Sequence, residues 1–193
     1  MAQLSRLWPA PIPAQWQRWL QGAVLALIGS AALTLSAKTQ IPFIPVPMTA
    51  QTLVVLLLGM VFGARLALLT VLVYLAEGAL GLPVFAGTPE KGIGLAYMTG
   101  PTGGYLVGFA AAAWLVGRLT ERRDDAQALA FAALAALVLV YAFGATWLAF
   151  WVGVERAVTL GIVPFVFGDL LKAAVAVGIG LLGAPRLRRH LSV

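Results

Sequence analysis

Six apolar runs organise this chain, separated by short segments that hold most of its prolines, glycines and charges. They cover about 20–37, 49–62, 66–80, 102–119, 126–152 and 164–183. A bilayer core about 30 Å thick takes roughly 20 apolar residues as a helix, with about 17 to 25 tolerated. The runs therefore predict an all-α integral membrane protein with six transmembrane helices. The second and third runs are short, and only Gly63, Ala64 and Arg65 lie between them. That spacing predicts two helices in a tight hairpin rather than one long span. Short spans also imply that neighbouring loops dip into the protein, where their backbone polar groups find partners.

Composition narrows the class. Of 193 residues, 61% are hydrophobic and 10% charged, against about 25% charged in a soluble domain. There are no cysteines, so no disulfide framework and no thiolate metal site. The net charge of +6 would raise nucleic acid in a soluble protein. Here the basic residues sit in short connecting segments, which reads as topology, and no nucleic-acid partner is expected.

Six spans place the amino terminus, the 62–66 turn, the 118–125 loop and the carboxyl terminus on one side. That side carries Arg6, Arg18, Arg65, Arg118, Arg122, Arg123, Arg186, Arg188 and Arg189, whereas the other carries Lys38, Lys91 and Arg156. The excess of arginine predicts both termini in the cytoplasm. Residues 1–19, with Trp8, Trp16 and Trp19 among prolines, read as an interfacial lead-in, 20–185 as the membrane domain, and 186–193 as a basic cytoplasmic tail. The first run is read as a retained helix and not a cleaved leader, because its apolar core is long and its basic region lies far from the start.

One charged pair changes the picture. Asp169 and Lys172 interrupt the last run, and at i and i+3 they share a helix face. They lie roughly 8 and 12 Å below Pro164, toward the outer leaflet. Ionised groups at that depth are costly and mark pathways or ligand sites more often than packing. Such a pair offers an acceptor for N–H groups and a donor for a carbonyl or carboxylate. Two outer loops stand beside it. "KTQIPFIPVPMTAQT" (38–52) has backbone held extended by Pro42, Pro45 and Pro47 and delivers Gln51 to the outer end of the second helix. "EGALGLPVFAGTPEKGIGLAYMTGPTGGY" (77–105) is rich in glycine yet apolar, with Phe85 and Tyr97 as aromatics and glycines such as Gly87 where backbone can approach a ligand. A loop this long in a compact domain reads as a lid or binding loop.

Other chemistry is not encoded. "GPTGGY" lacks the Walker lysine, and the lone histidine, His190, sits in the basic tail, away from any metal or nucleophile pattern. No enzyme activity and no cofactor are expected. The first helix carries small residues at Gly22, Ala26 and Ser30, with Thr34 continuing the row. A row of this kind lets another helix approach closely, either inside the chain or as a docking face for a second subunit.

The outer-loop and last-helix segments resemble the BioY family, the biotin-specific substrate-binding subunits of energy-coupling-factor vitamin transporters. The resemblance runs from about 20 to 185 and is carried by "IPVPMTAQT", "GALGLPVFAG", "GPTGGYLVGF" and "GDLLKA" in that order. It implies six helices, Gly-rich outer loops over a ligand pocket, and high-affinity biotin capture at the outer face. It also implies that Asp169 and Lys172 belong to the biotin site, with Gln51, Phe85, Gly87, Lys91 and Tyr97 as further substrate-binding candidates. The implied partners are a transmembrane coupling subunit and two ATPase subunits in a bacterial plasma membrane, with Gly22, Ala26 and Ser30 as the docking row. The loop "AGTPEKGIG" departs from a more uniformly Gly-rich pattern, and Leu106 stands where some relatives have a basic residue. Lys91 and a ring of backbone N–H groups are both candidates for holding the biotin carboxylate. Apart from the resemblance, a self-sufficient carrier that uses Asp169 as a protonatable group, and a membrane scaffold with a purely structural ion pair, fit the same residues.

Overall fold

A computed structural model of the chain describes residues 13–90, 92–123 and 125–190. The order is α1 (Ala14–Lys38), β1 (Gln40–Ile41), β2 (Met48–Thr49), α2 (Gln51–Ala79), α3 (Leu95–Met98), α4 (Gly103–Thr120), α5 (Ala126–Val152), α6 (Val154–Gly161) and α7 (Val163–His190). Helices α1, α2, α5 and α7 are each long and apolar enough to cross a membrane. Their outward faces carry Leu27, Ile28, Phe131, Val138, Phe150, Phe167 and Leu182, all exposed. An apolar surface on this scale suits lipid and not water.

Helix α2 is two helices. Gly63, at φ 74° and ψ 175°, leaves the helical region, a conformation in which glycine avoids a Cβ clash. The chain then doubles back, since Gln51 Nε2 donates to Tyr74 Oη at 2.9 Å. In a straight helix those residues would stand about 35 Å apart. The hairpin expected from the 63–65 spacing is thus present. Its returning arm starts at Ala64, whose N–H is accepted by Glu121 Oε1 from the end of α4, 3.3 Å away.

Glycines let α4 wedge between its neighbours, where close contact replaces the missing hydrophobic drive between membrane helices. A Cβ at Gly117 would lie 2.3 Å from Ala64 N on one side, and one at Gly104 2.4 Å from Phe143 O on the other. Gly59 meets Val116 of α4 in the same way, at 2.6 Å. The core between α2, α4, α5 and α7 holds Val55, Met60, Val71, Val116, Leu129, Ala133 and Ala176, all buried.

Element ends differ from those read in the sequence. Helix α1 starts at Ala14, inside the segment read as a lead-in, and α7 continues through His190. Two short helices were not expected. Gly153, at φ 85°, ends α5 and turns the chain into α6, and α3 forms inside the glycine-rich 81–101 loop. The sole strands among the described residues are the two-residue pair β1–β2, antiparallel, with Gln40 opposite Thr49.

Ala26 and Ser30 of the Gly22/Ala26/Ser30 row are buried within the chain, which supports internal packing, one of the two readings of the row. Ala26 is 1% exposed and Ser30 0%. Neighbouring Gly29 has Thr70, Leu58 and Phe62 of α2 within 3.2 Å of where a Cβ would stand, and Ser30 Oγ donates to Glu77. The physical reason is the hairpin. Its returning arm lies along α1, and small residues are what permit that approach.

Candidate functional site

The site forms where α7 passes the β1–β2 hairpin, near the entry of α2. Lys172 Nζ donates to Asp169 Oδ1 at 2.9 Å and to the Thr49 carbonyl at 2.6 Å. Tyr141 Oη of α5 donates to Asp169 Oδ2 at 2.7 Å. Each carboxylate oxygen thus holds one donor, and the two side chains are only 6% and 18% exposed. An intramembrane ion pair is tolerable when its remaining valences are met. Lone pairs on Asp169 and a third N–H on Lys172 remain for a ligand.

The pair opens on a cavity of about 50 Å³ lined by both residues together with Gln51, Tyr97, Tyr105 and Tyr141. Its apolar wall comes from Val46, Leu106, Phe109, Val140 and Phe165. A small polar cluster facing an apolar, aromatic wall is the pattern of small-molecule sites, which usually enclose about 300–1,000 Å³. The space here is smaller than that, about 50 Å³.

The outer loops are tied down at four points. Lys38 Nζ, at the end of α1, donates to Phe85 O at 2.9 Å, Thr88 O at 3.2 Å and Thr88 Oγ1 at 2.9 Å. Tyr74 Oη donates to Val84 O at 3.2 Å, and Trp147 Nε1 of α5 donates to Gly100 O at 2.8 Å. Phe85 stacks on Tyr97 with centroids 4.9 Å apart and meets Tyr74 edge-on at 5.4 Å. Gly78 makes this seating possible, because a Cβ there would lie 2.0 Å from Phe85 Cζ. Burial pushes the Tyr97 phenol above its ordinary pKa, with a bond to Thr102 opposing the shift, so Tyr97 faces the cavity as a neutral hydroxyl.

Of the residues singled out in the sequence, Asp169, Lys172, Gln51 and Tyr97 meet at one cavity. Phe85 is fully buried behind Tyr97 and supports the wall without lining it. Gly87, at φ 71°, turns the loop and does not reach the cavity. Lys91 lies outside the described residues. Tyr141, Tyr105, Thr49 and Phe165 were not singled out, yet all line the site. Tyr141 had a signal, as the only tyrosine in α5 on the buried face of Leu137 and Leu148.

Comparison with known proteins fits this geometry. A solved structure described as the S-component for biotin from an ECF-type ABC transporter superposes with a TM-score of 0.73 at 24% identity, covering 92% of this chain and 95% of that one. The two chains accordingly share a fold. The BioY family model matches residues 10–189, and the chain belongs to that family. A probable biotin transporter BioY from Pyrococcus horikoshii is 40% identical over 147 residues, 76% of this chain and 86% of the relative. The biotin transporter BioY of Thermotoga maritima is 40% identical over 159 residues, covering 82% and 92%.

Proposed function

We propose that this chain captures biotin at the outer face of the membrane and is the substrate-specific subunit of an energy-coupling-factor transporter. The observation that carries this reading is the Asp169–Lys172–Tyr141 cluster facing a loop-covered cavity in a chain of the BioY family. Biotin presents two ureido N–H donors and one carbonyl, an apolar thioether ring, an aliphatic tail and a carboxylate. Asp169 accepts one ureido N–H and Lys172 donates to the adjacent ureido carbonyl. Phe109, Val140 and Phe165 cover the ring and tail.

The protein is a multi-pass membrane transporter component and not an enzyme. Both arms of α2, with α1, α4, α5 and α7, make six crossings, and the arginines put both termini in the cytoplasm of a bacterial cell. The partners that this reading implies are a transmembrane coupling subunit and two ATPase subunits, which would supply the energy for transport. Biotin entry parts the 81–101 loop from the cavity, and loop closure completes the site. Equilibrium binding of labelled biotin to the detergent-purified chain tests the reading. Saturable binding that dethiobiotin displaces and unrelated vitamins do not is expected. Absence of saturable binding refutes it.

A further inference from the structure

A second and larger cavity opens at the opposite end of the molecule. It encloses about 710 Å³ between α1 and the turn of the α2 hairpin, and Arg18, Trp19, Ala23, Phe62, Arg65 and Leu69 line it. Arg18 stands 20 residues before Lys38 on the same helix, roughly 30 Å along the axis. That is the thickness of the hydrocarbon core. If Lys38 marks one membrane interface, Arg18 and Arg65 mark the other, at the level of lipid phosphates.

Charge decides what fits there. Glu121 also lines the cavity, but its carboxylate is taken by Arg118 at 3.1 Å and by the Ala64 N–H at 3.3 Å. Among the described residues, neither Arg18 nor Arg65 has a carboxylate partner. Two exposed, unpaired guanidiniums thus stand over a floor of Gly22 and Ala64, both buried, with Phe62, Leu66 and Leu69 as apolar walls. Arginine holds phosphate oxygens with paired, planar N–H donors. Trp19 is 74% exposed, as befits an indole at the headgroup boundary. Cationic groups at the interface above apolar walls follow the order of an anionic headgroup and its acyl chain.

We propose that this cavity is a binding site for an anionic phospholipid. Arg18 and Arg65 hold the headgroup phosphate, and one acyl chain lies between α1 and the hairpin over Ala23, Leu66 and Leu69. The site is separate from the substrate cavity and shares none of its residues.

Native mass spectrometry of the purified full chain, loaded from an equimolar mixture of dioleoyl phosphatidylglycerol and dioleoyl phosphatidylcholine, tests this. Two arginines at the surface give a preference of roughly thirtyfold for the anionic lipid, weakening as salt rises. Arg18→Gln with Arg65→Gln should abolish that preference while biotin binding stays unchanged. Should the double variant fail to fold, each single variant should lower the preference by about fivefold. Arg122→Gln with Arg123→Gln, at the same end but outside the cavity, should leave it intact. Equal retention of both lipids by the parent overturns the proposal, as does an equal loss in the Arg122/Arg123 control. A double variant that keeps its lipid preference but no longer assembles with a coupling subunit also overturns it, in favour of a protein-docking groove.

Discussion

Tyr141 on α5 donates a 2.7 Å hydrogen bond to Asp169 on α7, on the carboxylate oxygen that Lys172 does not hold. Donors from two helices therefore each hold one carboxylate oxygen, and Asp169 also lines the cavity. On the proposed function, the pair serves as an acceptor and donor set for the ligand as well as a neutralised charge.

Tyr141→Phe keeps the ring and removes that donor. Hydrogen bonds to charged groups contribute about 1.5–3 kcal/mol, and 1.4 kcal/mol is tenfold. Biotin affinity should fall by roughly tenfold or more in equilibrium dialysis, with thermal unfolding in detergent little altered. Unchanged affinity would mean that Asp169 is held by Lys172 alone.

Lys38→Met removes the ammonium that ties Phe85 and Thr88 to the end of α1. Its effect belongs on release, because the bonds hold the closed loop. In a chase experiment, bound labelled biotin should dissociate roughly tenfold faster, while association changes by less, the usual division for contacts formed after encounter. An unaltered dissociation rate would show that the loop does not retain the ligand.

Ala26→Leu places a larger side chain where α1 meets the hairpin and Ala26 is 1% exposed. Overpacking of this kind costs about 1–3 kcal/mol. The variant should therefore lose thermal stability as an isolated chain. A stable monomer that binds biotin but fails to assemble would favour the docking-face reading of the row.

Topology can be checked with single cysteines, since the chain has none of its own. An impermeant thiol reagent added outside intact cells should label positions in the 81–101 and 153–163 segments and leave a cysteine at Arg122 unlabelled. Outside labelling at Arg122 would reverse the assigned orientation.

The sequence made the helices legible because a bilayer demands long apolar runs, and the hairpin legible because Gly63 and Arg65 interrupt one. The Asp169–Lys172 pair was legible because i,i+3 spacing is local. What escaped was non-local. Tyr141 reaches Asp169 across 28 residues, and Lys38 reaches the loop across 47 and 50, separations that no periodicity records. Lys38 read as a topology charge because nothing nearby in the chain shows what it holds. Helix α6 escaped for a different reason. It is short and lies against the end of α5 and α7, with Tyr105 Oη donating to the Gly161 carbonyl at 2.7 Å, so tertiary contact holds it more than its own sequence does.

The most direct test of the central claim compares biotin binding by the purified parent with that of Asp169→Asn and Lys172→Met. The asparagine keeps the shape but puts N–H donors where biotin's own ureido N–H arrives, and it leaves Lys172 without its counter-charge. A buried charge stripped of its partner adds to the loss of the bond itself. The account predicts that affinity falls by roughly tenfold to several hundredfold in each variant. Either variant binding biotin as tightly as the parent would contradict it and leave the pair a structural feature of the helix bundle.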